Sequence, residues 1–316
     1  MEFRYLGRSG LKISAITYGN WLTHGSQVEN DVAAQCVRAA LDAGISSFDT
    51  ADVYANGAAE SVLGEILKGE RRESLEIFTK VYWPTGPKGH NDVGLSRKHI
   101  AESIDASLRR LRTDYVDLFQ MHAPDPQTPI AETLSALDEL VHEGKVRYIG
   151  CSNFAGWQVA DAAWTAETKG LEPFVSAQNR YSLLDRSVED ELVPACERFG
   201  LGMLPFFPLE YGLLTGKYRR GEAAPTGSRA DLDAGRAGWL AAADWDRIEA
   251  LEAYAAERGL SVLDVAIAGL AAQPTVASVI SGVSRGEQVR TNAAALRWEP
   301  TEDDLHDLAT ELAKSR

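Results

Sequence analysis

Cysteine is scarce in this chain of 316 residues: Cys36, Cys151 and Cys196 are odd in number, far apart and without a CxxC pair. That excludes a disulfide-stapled scaffold and fits a reducing, cytoplasmic setting. Long hydrophobic runs are missing too. The longest uncharged apolar stretch, Val265 to Ala272, falls far short of the roughly 18–20 residues of a membrane span, so no membrane insertion is expected. The opening Met1-Glu-Phe-Arg-Tyr carries an early acid and no apolar segment, so no secretory signal is expected either. Positive charge is in deficit, with 32 Lys and Arg against 46 Asp and Glu and a net charge of −14. Such a surface repels nucleic-acid backbone and anionic lipid head groups. An anionic ligand must therefore be held by a local cluster of donors. Histidine is limited to His24, His90, His99, His122, His142 and His306, with no His-x-His pair of the kind that often opens a metal-dependent barrel hydrolase. No metal is expected.

What is present is the mix of a globular chain, 45% hydrophobic and 25% charged. No low-complexity linker divides it, and residues 1–316 read as one domain. A short hairpin (Phe3–Gly7 and Leu11–Ser14) precedes an alternation of two periods. Apolar, β-branched or aromatic runs predict strands at Ile16–Gly19, Ser46–Thr50, Leu75–Val81, Tyr115–His122, Val146–Asn153, Phe174–Asn179, Leu201–Phe207 and Ser278–Val283. Helical periodicity fills the intervals at Asp31–Ala43, Ala59–Lys68, Ser96–Leu111, Ile130–Glu143, Trp157–Lys169, Val188–Phe199 and Asp244–Gln273, with Gly286–Leu296 and Thr301–Lys314 after them. Gly44, Gly144, Gly170 and Gly200 stand just past four of these helices, where a left-handed residue ends a helix. Eight strands alternating with helices predict a parallel sheet closed as an α/β (β/α)8 TIM barrel, with the N-terminal hairpin and additional C-terminal helices. An open doubly wound sheet is the alternative, but no GxGxxG follows the first strand. The long connection from Leu209 to Gly238 reads as a lid or binding segment.

Polar residues that are awkward inside strands recur at strand C-terminal ends: Phe48-Asp-Thr-Ala-Asp-Val-Tyr54, Thr79-Lys-Val81, Gln120-Met-His122, Gly150-Cys-Ser-Asn153 and Ala177-Gln-Asn179. That rim is where a barrel of this kind carries its active site. Singly, each has an ordinary reading: Asp49 caps a turn, Tyr54 packs, Lys80 snorkels and His122 is a bonded core histidine. Jointly they suit proton delivery. A phenol titrates near pH 10, too high for an efficient acid at neutrality; an adjacent ammonium favours phenolate, and a carboxylate keeps the buried lysine charged. Asp49, Lys80 and Tyr54 thus read as a relay ending in a hydroxyl, with His122 hydrogen-bonding the same carbonyl oxygen.

These segments resemble the aldo-keto reductases, through the run ending at Tyr54, Gly64 in Val-Leu-Gly-Glu, Lys80, His122 in Asp-Leu-Phe-Gln-Met-His, and Gly150-Cys-Ser-Asn-Phe154. Leu95-Ser-Arg-Lys-His-Ile100, Pro124-Asp-Pro126, Thr215-Gly-Lys-Tyr218 and Ser228-Arg-Ala230 are similar to the branch that holds the potassium-channel β subunits and their bacterial relatives. The resemblance implies Tyr54 as general acid, Asp49 and Lys80 as its tuners and His122 as substrate orienter. Channel β subunits usually carry Asn at the last position, so His122 argues for an active enzyme. It implies a nicotinamide cofactor, with Ser152, Asn153 and Gln178 on its carboxamide and Phe206 stacked on its ring. Gly19, Asn20, Trp21, Pro208 and Leu209 line the cofactor, and Lys217 and Arg229 face the pyrophosphate. Gly282, Ser284, Gln288 and Asn292 would hold the adenosine and 2′-phosphate end, and the backbone amides opening the last-strand helix suit a phosphate. Arg285 is an added contact for that 2′-phosphate, which favours NADP (NADPH) over NAD. Trp21, Tyr82, Trp83 and Tyr211 would wall a pocket for an apolar aldehyde or ketone.

The expected function is NADPH-dependent reduction of a small-molecule carbonyl. A cofactor-binding regulatory subunit with slow turnover is the rival from another class, and a metal-dependent hydrolase the third. The branch often assembles as tetramers or octamers, which opens the way to a homo-oligomer, while nothing in the sequence fixes a symmetric interface.

Overall fold

A computed structural model describes residues 1–21, 23–27, 29–232 and 237–314. The chain opens with an antiparallel hairpin, β1 (Phe3–Tyr5) and β2 (Lys12–Ser14). Eight parallel strands follow: β3 (Ile16–Gly19), β4 (Ser47–Asp49), β5 (Glu76–Val81), β6 (Val116–Met121), β7 (Val146–Ser152), β8 (Ser176–Gln178), β9 (Gly202–Met203) and β10 (Val279–Gly282). They pair in the order β10-β3-β4-β5-β6-β7-β8-β9. Backbone bonds close the remaining seam: the Met203 amide donates to Thr275 at 2.7 Å, and the Ala277 and Ile280 amides donate to Met203 and Pro205, each at 3.0 Å. The architecture is the expected (β/α)8 barrel.

Helices α1 (Asn30–Asp42), α2 (Ala58–Ile66), α3 (Arg97–Leu111), α4 (Ile130–His142), α5 (Gly156–Lys169) and α6 (Leu192–Phe199) form the outer layer between successive strands. The connection from β9 to β10 carries α7 (Arg229–Leu232), α8 (Ala237–Ala241), α9 (Trp245–Glu257) and α10 (Val262–Ala271), and α11 (Gly286–Ala295) and α12 (Glu302–Lys314) complete the chain. Two helices differ from their sequence reading. The segment Asp244–Gln273 is two helices, because Gly259 turns left-handed at φ 67° and Ser261 starts α10 with a reciprocal capping box to Asp264. The segment Val188–Phe199 yields an α-helix only from Leu192, after a short 3-10 turn at Ser187–Glu189. That start puts Pro194 in the first turn, where its missing N–H leaves no bond unmade.

Strand alternation sorts the side chains. Ile77, Val81, Phe119, Met121, Ile149 and Val279 face outward into the main core beneath the helices. Phe78, Leu118, Leu204 and Ile280 face inward and pack against Leu6 and Ile13 of the hairpin region, which plugs the barrel floor. Two residues further along β5 and β6, the same inward phase brings Lys80 and Gln120, which are paired in register. The interior thus passes from apolar to charged in one step toward the C-terminal rim. Gly150 permits this layer, since a Cβ there would lie 2.1 Å from Ser176 Oγ and 3.4 Å from Gln120 Cγ. A third cluster, including Leu213, Tyr218, Leu251, Val265, Leu308 and Leu312, seats α9, α10 and α12 against the start of the long connection.

Candidate active site

Asp49 ends β4, Lys80 lies one residue before the end of β5, and His122 follows β6 directly. Parallel pairing sets these ends side by side, and the structure brings the four expected residues together. The Lys80 side chain is wholly buried, and its three ammonium protons are all used. They go to Asp49 Oδ2 at 2.6 Å, the Thr50 carbonyl at 2.8 Å and the Tyr54 hydroxyl oxygen at 3.3 Å. Asp49 Oδ1 accepts from Gln178 Nε2 at 2.9 Å and from Gln120 Nε2 at 3.3 Å. Tyr54 stands in the turn after β4, and its ring meets His122 edge-on with centroids 5.6 Å apart. Among the described residues no acceptor takes the Tyr54 hydroxyl proton, which is free for a ligand.

The electrostatics differ from the simple sequence argument. Burial alone disfavours a charged lysine, but the Asp49 carboxylate and the Tyr54 hydroxyl together overcome it and hold Lys80 above its usual range. Tyr54 is pushed above the ordinary phenol value, not below it: burial dominates, and the pull of Lys80 only offsets part of it. Without a ligand, Tyr54 is a firmly protonated acid. Burial, reinforced by Lys80, takes His122 well below the usual imidazole range, so its ring is neutral with one donor and one acceptor nitrogen. Its Nδ1 is buried and unpartnered.

The residues assigned to a cofactor follow the same rim. Gly282, Gly19 and Asp49 are level across β10, β3 and β4, and Ser152 pairs with Gln178 across β7 and β8. Asn153 adopts a left-handed φ of 60°, and its Nδ2 donates to the His122 carbonyl at 2.9 Å and to Ser152 Oγ at 3.1 Å. Asn20 donates to His24 Nδ1 at 3.1 Å. Phe206 and Leu209 are half-buried and Pro208 is buried. Lys217 is exposed and folds back over Tyr218, 4.9 Å from its ring, and makes no ion pair among the described residues. The side chain of Arg229 lies outside the described residues.

At the expected anion site the opening amides of α11 meet a side chain of the same helix. Gln288 Oε1 accepts from the Ser284 amide at 2.8 Å and the Arg285 amide at 3.2 Å. The side-chain carbonyl caps the amides at the start of α11 that the sequence offered to a phosphate. Asn292 is buried and donates to Ser281 Oγ at 2.6 Å, tying α11 to β10. The side chains of Ser284 and Arg285 remain at the surface.

The aromatic residues form two groups. Trp83 lies between Tyr82 and His122, with centroids 5.1 and 4.7 Å away. Phe207 lies between Trp21 at 5.4 Å and Tyr211 at 4.4 Å. The sequence reading named Tyr82, Trp83, Trp21 and Tyr211 but missed Phe207, whose signal was its place beside Phe206 before a proline. It placed Gln120, the inward residue two before His122, on the rim without giving it a role, and it missed Glu210. The Glu210 carboxylate is buried and takes Arg180 at 2.6 Å and the Ser182 hydroxyl at 2.7 Å.

Strain and unpaired polar atoms mark the same end. Of seven described non-glycine residues with left-handed φ, six (Ala55, Asn56, Asn153, Phe207, Glu210 and Tyr211) stand in rim loops, and Arg112 merely ends α3. Backbone strain of about 1–3 kcal/mol per residue persists where function needs it. Asn20 Oδ1, Thr50 Oγ1, His122 Nδ1 and Asn179 Oδ1 are buried without hydrogen bonds. No group of three or more His, Cys, Asp or Glu among the described residues could hold a metal ion, and no described helix is long and apolar enough to cross a membrane.

The aldo/keto reductase family model matches residues 15–312. A protein of Oryza sativa subsp. japonica named "Probable voltage-gated potassium channel subunit beta" is 39% identical over 304 residues, covering 94% of this chain and 91% of the relative. An Arabidopsis thaliana protein of the same name is 38% identical over the same shares. With a closed (β/α)8 barrel and a match running over nearly its whole length, the chain belongs to the aldo/keto reductase family.

Proposed function

We propose that this protein is an NADPH-dependent reductase of small aldehydes or ketones, acting as one barrel domain over residues 1–316. The observation that carries the reading is the buried Lys80 ammonium, shared between Asp49 and the Tyr54 hydroxyl beside a neutral His122.

The residues fit the cofactor. The amide groups of Asn153 and Gln178 donate within the protein, which leaves their carbonyl oxygens to accept from a carboxamide NH2. Phe206 offers a ring for stacking, Lys217 an unpaired cation for a pyrophosphate, and Arg285 one for a 2′-phosphate. When bound, the nicotinamide supplies the hydride. Tyr54 holds the proton that the carbonyl oxygen takes as its charge develops, and the Lys80 ammonium stabilises the phenolate left behind. The neutral His122 donates to the same oxygen and orients the substrate, and Trp83 beside it excludes water. Trp21, Phe207 and Tyr211 give an apolar wall that suits an uncharged carbonyl compound. The three cysteines are all buried free thiols, which suits a cytoplasmic setting.

The test is direct. NADPH and NADH are titrated by fluorescence quenching, and aldehydes and ketones are screened by cofactor oxidation. Tyr54→Phe should bind NADPH like the parent and lose turnover by roughly 10²–10⁴-fold. Parental turnover in that variant overturns the assignment of the acid. The relatives' names favour a second reading, a cofactor-retaining regulatory subunit. Tight NADPH retention, negligible turnover on every carbonyl and co-purification with a membrane partner would replace the enzyme reading with that one.

A further inference from the structure

Directly behind the relay lies a second set of buried charges that the proposed reaction does not use. Glu60, on α2, is fully buried and accepts from Thr79 Oγ1 at 2.5 Å and from Arg110 Nε of α3 at 2.6 Å. Gly57, in the Tyr54 turn, sits on that arginine, because a Cβ there would come within 2.8 Å of Arg110 Cδ. Asp52 stands in the turn between β4 and α2, within electrostatic reach of Glu60, Arg110 and Lys80. It is 1% exposed, its amide donates to the Lys80 carbonyl at 3.2 Å, and neither carboxyl oxygen has a hydrogen-bond partner.

The charges do not balance if every group is ionised. Asp49 takes Lys80 and Glu60 takes Arg110, so Asp52 is a third carboxyl with no cation of its own. An unpaired carboxylate in such a place is prohibitive, whereas a neutral acid leaves both pairs intact. We propose that Asp52 is a positioning residue that keeps its proton at neutral pH and thereby leaves the Lys80 ammonium to Asp49, the Thr50 carbonyl and Tyr54.

The groups facing it from each element agree. Burial comes first, the Glu60 carboxylate from α2 adds to it, and together these outweigh Arg110 from α3, Lys80 from β5 and the neighbouring Val53 amide. The coupling runs both ways, because an ionised Asp52 strengthens the hold of Tyr54 on its proton. On the alkaline side, ionisation of Asp52 would weaken the acid that the reductase reading requires. Only this last consequence rests on that reading.

The experiment reads protonation without turnover. In the whole protein at neutral pH, infrared difference spectra should show a protonated-carboxyl C=O band that is lost in Asp52→Asn and kept in Glu60→Gln. Carboxyl-carbon NMR of the unsubstituted protein reads the same proton should either variant fold poorly. As pH rises, the Tyr54 ring-carbon resonance, assigned with Tyr54→Phe, should step where the Asp52 band disappears, and Asp52→Asn should lack the step. Absence of the band, its loss in Glu60→Gln instead, or an identical Tyr54 step in Asp52→Asn overturns the proposal. A protein with the band and the step but no carbonyl turnover refutes the reductase reading and leaves Asp52 as described.

Discussion

Lys80→Met is the sharpest perturbation of this site, because methionine fills nearly the same buried volume and removes only the charge. The variant leaves the Asp49 carboxylate buried without its 2.6 Å partner. Breaking one side of a buried ion pair costs about 3–5 kcal/mol. Here Gln178 at 2.9 Å and Gln120 at 3.3 Å still donate to the other oxygen, so the loss should fall at the lower end, about 3 kcal/mol. Removing the orphaned charge as well should undo most of that. Asp49→Asn with Lys80→Met should therefore be more stable than Lys80→Met alone, and within about 1 kcal/mol of the parent. Urea unfolding followed by far-ultraviolet circular dichroism gives all three values at one pH. Parental stability for Lys80→Met, or a double variant less stable than it, would mean that the pair is not a mutually dependent buried unit. The account of how Lys80 stays charged would then fail with it.

Three further outcomes follow from the same geometry. His122→Asn should lower turnover by roughly 10²-fold or more while NADPH affinity stays near parental, measured by steady-state kinetics beside fluorescence titration. His24 is fully buried between Tyr18 at 3.0 Å and Asn20 at 3.1 Å, and burial lowers it from 6.5 to about 4. The unfolded chain binds that proton near pH 6.5, so stability is complete above it and is lost by up to about 3 kcal/mol as pH falls toward 4. Denaturation across that interval should show the slope in the parent and a shallower one in His24→Gln. Glu210→Gln keeps the shape of the Arg180 and Ser182 anchor but not its charge, and should cost about 1–2 kcal/mol. Hydrogen exchange of the strained segment 207–216 should quicken by about tenfold, and unchanged exchange would free Glu210 from holding the Phe207 and Tyr211 wall.

What the sequence showed and what it hid divide along a physical line. The placement of Lys80 and His122 was legible because strand phase is local. A polar residue two positions past an inward apolar one must enter the barrel, and Phe78 to Lys80 and Leu118 to Gln120 do so. Tyr54 was legible through its neighbours in the turn after β4. The state of that phenol was not. Its sign depends on whether burial exceeds the attraction of one ammonium, and burial is a property of the closed barrel. The bond made by Gln288 was hidden for a related reason: a side-chain carbonyl three residues into a helix can reach back to the amides that open it, and only coordinates show that it does. The break at Gly259 was written in the sequence, as a glycine followed by Ser261 and Asp264, but a continuous apolar period on both sides outweighed it.

The same division bears on which function the site can carry. A barrel that only stored a nicotinamide would need its stacking ring and phosphate contacts, and nothing in that task calls for a lysine with all three protons bonded in the interior. Maintaining that ammonium takes Asp49, Gln120 and Gln178 from three further strands, a glycine at 150 to admit them, and strained turns to bring Tyr54 alongside. Strain and buried charge both oppose folding. Their concentration around one hydroxyl whose proton has no acceptor in the described protein is what favours chemistry at that oxygen over storage.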